Sequence, residues 1–292
     1  MHISFVTNEA WPSLTTDDQL LADHLRNKGI LVTASIWNDK DIDWSLFDAI
    51  VIRSTWDYHQ KVDEFNAWLE RLATLKRPVL NPVSILKWNL NKGYLVELHD
   101  DDKHVPPFAF CRQGSSVSLQ ELFETRGFTK AVVKPAVSGG SFNTWVSDAL
   151  SAIEDEPKFR SMLETGDVIV QKFMDEIVED GELSLMFFNK QYSHTILKKV
   201  KKGDFRVQSK FGGTVEKFEP AEAIIQYAGS LLADIEEPLL YARVDGVVSD
   251  GRFYLMELEL IEPALFMAFD ENASKNFHRA LQALVPGKVT NA

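Results

Sequence analysis

Apolar residues run along the first eighty positions in short blocks, and helix-length amphipathic stretches separate them. The spacing predicts a strand at 2–7, a helix over 17–28, strands at 30–36 and 48–53, and a helix over 62–76. Strands that alternate with helices make an open α/β unit. Thr16 ahead of Asp17 and Asp18 reads as an N-cap followed by first-turn acids, and Gly29 as the helix stop. The Asn81-Pro82 step closes this lobe.

A helical pair over 83–99 follows, then the acidic Asp100-Asp101-Asp102 run and Pro106-Pro107 lead into a new strand, which places a boundary near 81–105. Beyond it the pattern predicts a strand at 130–136, a Gly/Ser loop, a helix near 151–163, strands at 167–174, 182–189 and 191–200, a helix near 220–233, and a hairpin ending at Pro263. These strands pair as neighbours through short turns, so an α+β region follows the α/β one. The chain shows no internal repeat and no low-complexity tract.

The last hairpin carries the most informative polar positions. Glu257 and Glu259, at i and i+2, share one strand face, while Val244, Val248, Tyr254, Met256, Leu258 and Leu260 supply an apolar set for the other. Asp245 joins the glutamates if Ser249-Asp250-Gly251 forms a three-residue loop; a two-residue Asp250-Gly251 turn would separate them. Clustered carboxylates repel unless they are protonated or hold a hard cation, and oxygen donors alone suit magnesium on nucleotide phosphates. A solvated strand face is the competing reading.

Composition narrows the classes. A chain of 292 residues, 45% hydrophobic and 11% aromatic, can bury cores in two or three lobes. Its net charge of -12 argues against nucleic acid and anionic membranes as partners. The start His2-Ile3-Ser4-Phe5 lacks a basic n-region, and no apolar run reaches membrane-spanning length, so a cytoplasmic location is expected. Cys111, the only cysteine, lies between Phe110 and Arg112 and reads as a packed thiol rather than a nucleophile.

Four further segments carry candidate chemistry. Lys134 ends a strand and precedes Ser138-Gly139-Gly140-Ser141-Phe142-Asn143-Thr144, whose small residues let backbone N–H groups approach an anion. A simple hairpin turn explains that loop equally well. The strand Val168-Ile169-Val170-Gln171-Lys172-Phe173-Met174 offers edge backbone and apolar walls for a base, or is an ordinary core strand. Lys198, Lys199, Lys201, Lys202 and Arg206 form a basic island in an acidic protein, and Arg206 presents a fork matched to phosphate oxygens. Arg53, Thr55, Trp56 and Asp57 follow a strand's carboxyl end, where open α/β sheets bind ligands, and form the candidate substrate segment; packing between lobes is the alternative for Trp56 and Tyr58. His59 and His194 have no metal spacing, and no Gly-x-Ser-x-Gly elbow supports a serine hydrolase.

Taken in order, Asn91-Lys92, Val133-Lys134-Pro135 with its glycine loop, the hinge from Gln171 to Met174, Asp204-Phe205-Arg206 with Gly212-Gly213, and Asp245 with Glu257-x-Glu259 resemble the ATP-grasp ligases over roughly residues 85–270. The closest branch in pattern is that of the glutathione synthetase-like and ribosomal-protein glutamate ligases. Residues 53–59 and Glu257-Leu258-Glu259-Leu260-Ile261-Glu262-Pro263 also resemble the O-ureidoserine cyclo-ligase subgroup of cycloserine synthesis. The resemblance implies an N-terminal pre-ATP-grasp domain over 1–84 and an ATP-grasp domain over 85–292, with a small lobe at about 105–174, a C-terminal lobe at about 175–292, and nucleotide between those two lobes.

It further implies that ATP meets Lys92, Lys134, Ser138, Gly139, Gly140, Ser141, Gln171, Lys172, Phe173, Met174 and Arg206, with Glu182 or Glu179 towards the ribose. Asp245, Glu257 and Glu259 would hold one or two magnesium or manganese ions, and Arg206 and Lys198 would act at the transferred phosphoryl group. Where many relatives carry asparagine as the last metal ligand, this chain has Glu259. The expected function is an ATP-dependent carboxylate–amine ligase working through an acyl phosphate on small molecules, as a monomer or homodimer. The rivals are a non-catalytic ATP-binding module and a small-molecule kinase.

Overall fold

The computed structural model describes residues 1–285 except 202, 204, 205 and 208–211. The first sheet is parallel, built from β1 (His2–Thr7), β2 (Leu31–Ile36), β3 (Ala49–Ser54) and β4 (Val79–Leu80) in the order β2-β1-β3-β4. Helices α1 (Thr16–Asn27) and α2 (Val62–Thr74) cover its faces with Leu21, Ala22 and Leu25 and with Phe65, Trp68, Leu69 and Leu72. The N-cap of α1 is Thr15, not Thr16. Its Oγ1 accepts from the Asp18 N–H at 3.1 Å, and the Asp18 carboxylate accepts in return from the Thr15 hydroxyl at 3.1 Å. Gly29 ends the helix with φ +77°, as its position predicts.

Helices α3 (Val83–Leu90) and α4 (Tyr94–Asp100) lead to an antiparallel second sheet. It contains β5 (Phe108–Cys111), β6 (Lys130–Pro135), β7 (Trp145–Asp148) and β8 (Val168–Lys172) in the order β5-β8-β6-β7, backed by α5 (Leu119–Arg126) and α6 (Ala152–Thr165). Phe123, Phe159, Leu163 and Val170 fill the space between sheet and helices. Cys111 sits in this core, and burial pushes its thiol up to about 11.

A short helix α7 (Glu176–Glu179) opens the third sheet: β9 (Glu182–Phe188), β10 (Gln191–Lys199), β11 (Thr214–Phe218), β12 (Tyr241–Ser249) and β13 (Arg252–Glu259). Its order is β11-β10-β9-β12-β13, every pairing antiparallel, with α8 (Glu222–Ala233) on one face. On the other face α9 (Ala273–Leu284) packs Phe277 against Phe188 at 5.4 Å between ring centroids and against Phe5 of β1 at 6.3 Å. One apolar core therefore joins the first and third sheets. Among the described residues no helix is long and apolar enough to cross a membrane.

Candidate active site

Hairpin β12–β13 turns through two residues, Asp250 and Gly251, with φ of 49° and 72°, the left-handed pair that suits strand twist. Ser249 accordingly opposes Arg252, and Val247 opposes Tyr254. Such a register alone would put Asp245 and Glu257 on opposite faces. A β-bulge between Asp245 and Gly246 restores them: Met256 is the extra residue, Asp245 opposes Glu257, and Arg243 opposes Glu259. The bulge also switches the buried parity, so Phe253 and Leu255 are core while Tyr254 and Met256 are partly exposed, contrary to the simple alternation. Only glycine fits at 246, where a Cβ would stand 2.3 Å from both the Tyr254 carbonyl oxygen and the Phe253 ring.

The face so formed interleaves acids with cations. Asp245, 2% exposed, accepts from Arg243 Nε at 2.9 Å and Nη2 at 2.9 Å, from Lys198 Nζ at 3.0 Å, and from Ser184 Oγ at 2.6 Å. Burial by itself would push this carboxyl up; Arg243 and Lys198 overcome it and hold Asp245 well below the usual carboxylate range. The same Arg243 Nη2 pairs with Glu259, and Nη1 donates to the Ala264 carbonyl at 3.1 Å. Lys198 lies 3.9 Å from Glu182, its register partner on β9. Arg243 carries no role in the sequence reading, yet its position two residues before Asp245 on one strand was a signal that they share a face.

Lys92, 5% exposed, links this wall to the glycine loop. Its Nζ lies 3.2 Å from Glu257 and donates to the Ser138 carbonyl at 2.8 Å, while its backbone N–H bonds Ala136. The loop rises between β6 and β7, with Gly140, Ser141 and Asn143 all left-handed and Gly139 against the His59 ring. Lys134 Nζ donates to Gln171 Oε1 at 3.1 Å, and burial lowers its pKa to about 8. Gln171 is fully buried, and its Nε2 has no hydrogen-bond partner among the described residues. Phe173 and Met174 are buried, Lys172 is exposed, and Lys130 Nζ lies 3.7 Å from the Phe173 ring centroid. Glu179 is exposed on α7, whereas Glu182 belongs to the charged cluster, where burial pushes its carboxyl up.

The expected substrate segment is mostly interior. Arg53 is 1% exposed; its Nε pairs with Asp18 at 2.9 Å and its Nη2 donates to the Pro263 carbonyl at 2.9 Å. Thr55 is fully buried, and Asp57 accepts from Trp37 Nε1 at 2.9 Å and Lys61 Nζ at 3.1 Å. Of the four, Trp56 is the most accessible, 36% exposed, beside Trp11 at 43%, and Asp57 is partly exposed. Arg206 is partly exposed; its expected neighbours Lys202, Asp204, Phe205 and Phe211 lie outside the described residues.

Beyond β13, residues 261–265 form no regular structure, and side chains hold the successive carbonyls. Tyr241 donates to Ile261 at 2.8 Å, Trp56 to Glu262 at 3.0 Å, Arg53 to Pro263 at 2.9 Å, Arg243 to Ala264 at 3.1 Å, and His194 to Leu265 at 2.9 Å. These donors come from strands of the first and third sheets and the loop after β3, so the segment is clamped between them.

Among the described residues no three acidic, histidine or cysteine side chains are arranged to hold a metal ion alone. Asp245 is fully engaged by its cations, while the side chains of Glu257 and Glu259 keep 33% and 24% of their surface exposed. Two carboxylates completed by phosphate oxygens are the usual magnesium set. Burial first, and then adjacent carboxylates, push Glu259 up and Glu262 to about 7, so the site disfavours their charged forms until a cation joins it. A hard divalent cation fits that donor set.

Residues 3–81 match a family described as the N-terminal domain of D-cycloserine synthetase DcsG. Over 297 residues the chain is 30% identical to the cycloserine biosynthesis protein DcsG of Streptomyces lavendulae, covering 96% of this chain and 97% of that one. The crystal structure of D-cycloserine synthetase DcsG matches with a TM-score of 0.89 at 28% identity, covering 98% of this chain and 100% of the other. A RimK domain ATP-grasp protein from Sphaerobacter thermophilus matches at TM-score 0.70 and 13% identity over 95% of this chain and 97% of that one, a likeness of fold.

Proposed function

The chain belongs to the ATP-grasp ligases, with a cycloserine biosynthesis protein among its relatives, and from that premise we propose that it activates a substrate carboxylate with ATP for attack by an amine-type nucleophile. An ATP-dependent ligase is what the family membership gives; the acyl phosphate route is our reading. The observation that carries it is the interleaved wall: Asp245, Glu257 and Glu259 alternating with Arg243, Lys198 and Lys92 beneath a glycine loop.

The carboxylate oxygen attacks the γ-phosphorus of ATP and ADP leaves; the neutral amine nitrogen then attacks the acyl carbon and expels phosphate, which takes up the proton the nitrogen loses. Lys134 and Lys92 bind phosphate oxygens, Lys198 and Arg206 offset charge on the transferred group, and Arg243 adds a fixed guanidinium beside it. Glu257 and Glu259, the accessible carboxylates, with Asp245 behind them, would hold magnesium, which when bound would supply charge neutralisation at the phosphates. Gln171 to Met174 offers the base its backbone and apolar walls, with Glu182 towards the ribose. Residues 138–144 close over the phosphates and keep water from the activated acyl group. The nucleophile sits on the same molecule in a cyclo-ligase and on a second one otherwise.

The test is ADP release from Mg-ATP against amino acids, ureido and aminooxy amino acids and short peptides, with Glu257→Gln as control. Carboxylate-dependent release lost in the variant supports the ligase. ADP formed together with a stable phosphorylated product, and no acceptor consumed, would replace it with a kinase.

A further inference from the structure

Of the five carboxylates gathered at the wall among the described residues, four have a cation beside them: Asp245 has Arg243 and Lys198, Glu259 has Arg243, Glu257 has Lys92, and Glu182 has Lys198. Glu262 is the exception. Among the described residues its carboxylate makes no ion pair, and its one bond is to its own backbone N–H. It nevertheless feels the charges of Glu257, Lys92 and Arg243, so it belongs to the same wall.

The position is held firmly. Trp56 Nε1 grips the Glu262 carbonyl at 3.0 Å, and Arg53 and Tyr241 grip the carbonyls on either side at 2.9 and 2.8 Å. A carboxylate fixed in a half-buried place, with Lys92 and Arg243 near but no cation at ion-pair distance, is costly to keep charged unless a ligand brings a closer cation. The metal is the poorer candidate, because the partly exposed side chains of Glu257 and Glu259 share one face of β13 while Glu262 lies beyond that strand. Beside it stand two exposed indoles, Trp56 and Trp11, edge to face with centroids 6.2 Å apart. Indole faces favour an organic cation.

We propose, resting on the ligase reading above, that Glu262 holds a cationic amino group of the substrate and so selects carboxylate compounds that carry a free amine near the reacting atoms. Trp56 has two parts in this: its Nε1 fixes Glu262 and its ring lines the approach. Trp11 completes the rim.

The experiment compares O-ureidoserine with N-acetyl-O-ureidoserine, and free with N-acetylated amino acids, on the wild type, Glu262→Gln and Glu262→Asp. ADP release is read alongside binding of a non-hydrolysable ATP analogue with magnesium. The wild type should prefer the free amine by on the order of 100-fold in kcat/KM, and Glu262→Gln should lose most of that preference through a rise of about tenfold or more in KM for the amine. The KM for ATP should not move, which also shows that the variant is folded, and Glu262→Asp should recover part of the preference. Undiminished preference in Glu262→Gln, with analogue binding and ADP release intact, overturns this assignment alone. Absence of analogue binding in the wild type overturns the ligase reading, and the assignment with it.

Discussion

Asp245 and Glu257 stand directly opposite one another across β12 and β13, although the two-residue turn that joins these strands would set them on opposite faces. The bulge at Met256 reconciles the two facts, and Gly246 permits the bulge. Gly246→Ala should therefore cost about 1–3 kcal/mol or more from overpacking, because the new Cβ meets backbone rather than a yielding side-chain tip. Denaturant unfolding measures it. A midpoint equal to that of the wild type would mean that the strands relax and the bulge is not tightly specified.

Arg53 ties Asp18 to the Pro263 carbonyl inside the protein. Arg53→Ala leaves Asp18 buried without its cation, and a stability loss of about 3–5 kcal/mol is expected. Arg53→Lys should recover little, since one ammonium cannot reproduce two divergent bonds. If unfolding is unchanged while the substrate KM rises, Arg53 is a substrate contact instead.

Lys134 provides a proton readout of nucleotide binding. Burial lowers its pKa to about 8 in the folded protein, so above that pH it is largely neutral, while in the unfolded chain it stays charged to about 10.4. The unfolded state then binds more protons across that window, and this group's contribution makes stability rise with pH between the two values. Phosphates favour the charged form, so ATP should bind with proton uptake near pH 8.5 and lose affinity at higher pH. Calorimetry in buffers of different ionisation enthalpy should show uptake that disappears in Lys134→Met; equal uptake in both would assign the proton to another group.

Cys111, buried with its pKa pushed up to about 11, should carry roughly one thiolate per thousand molecules at pH 8. A disulfide reagent should label it only on unfolding, and labelling of the native protein within minutes would contradict its place in the core.

Much of the first sheet was legible because period-2 strands and period-3.6 helices differ clearly there, and Gly29 marks its helix end. Strands β4 and β7, of two and four residues, are too short to show a period. Helix α9 does carry one, through Ala273, Phe277, Ala280, Leu281 and Leu284, but nothing local says that it bridges two sheets. The acids of the hairpin were readable as a set, whereas their register was not. A one-residue bulge depends on how closely Gly246 approaches the Tyr254 backbone, a distance no alternation pattern encodes. The candidate substrate segment was picked out by its place after a strand, whereas the burial of Arg53 and Thr55 depends on what packs over them from residues 261–265.

The clamp on residues 261–265 has a mechanical meaning. With Arg53, Trp56, Arg243, Tyr241 and His194 all gripping one short segment, and α9 sharing a core with β1, the first and third sheets form a single rigid jaw. The second sheet keeps one core around Phe123 and Phe159, and on its other side Phe108, Ala136 and Ile169 share a core with Leu183, Leu185 and Leu258 of the third sheet. On the ligase reading, a hinge that admits nucleotide would have to part the core that Phe108, Ala136 and Ile169 share with the third sheet, while the clamp keeps the first and third sheets moving as one body.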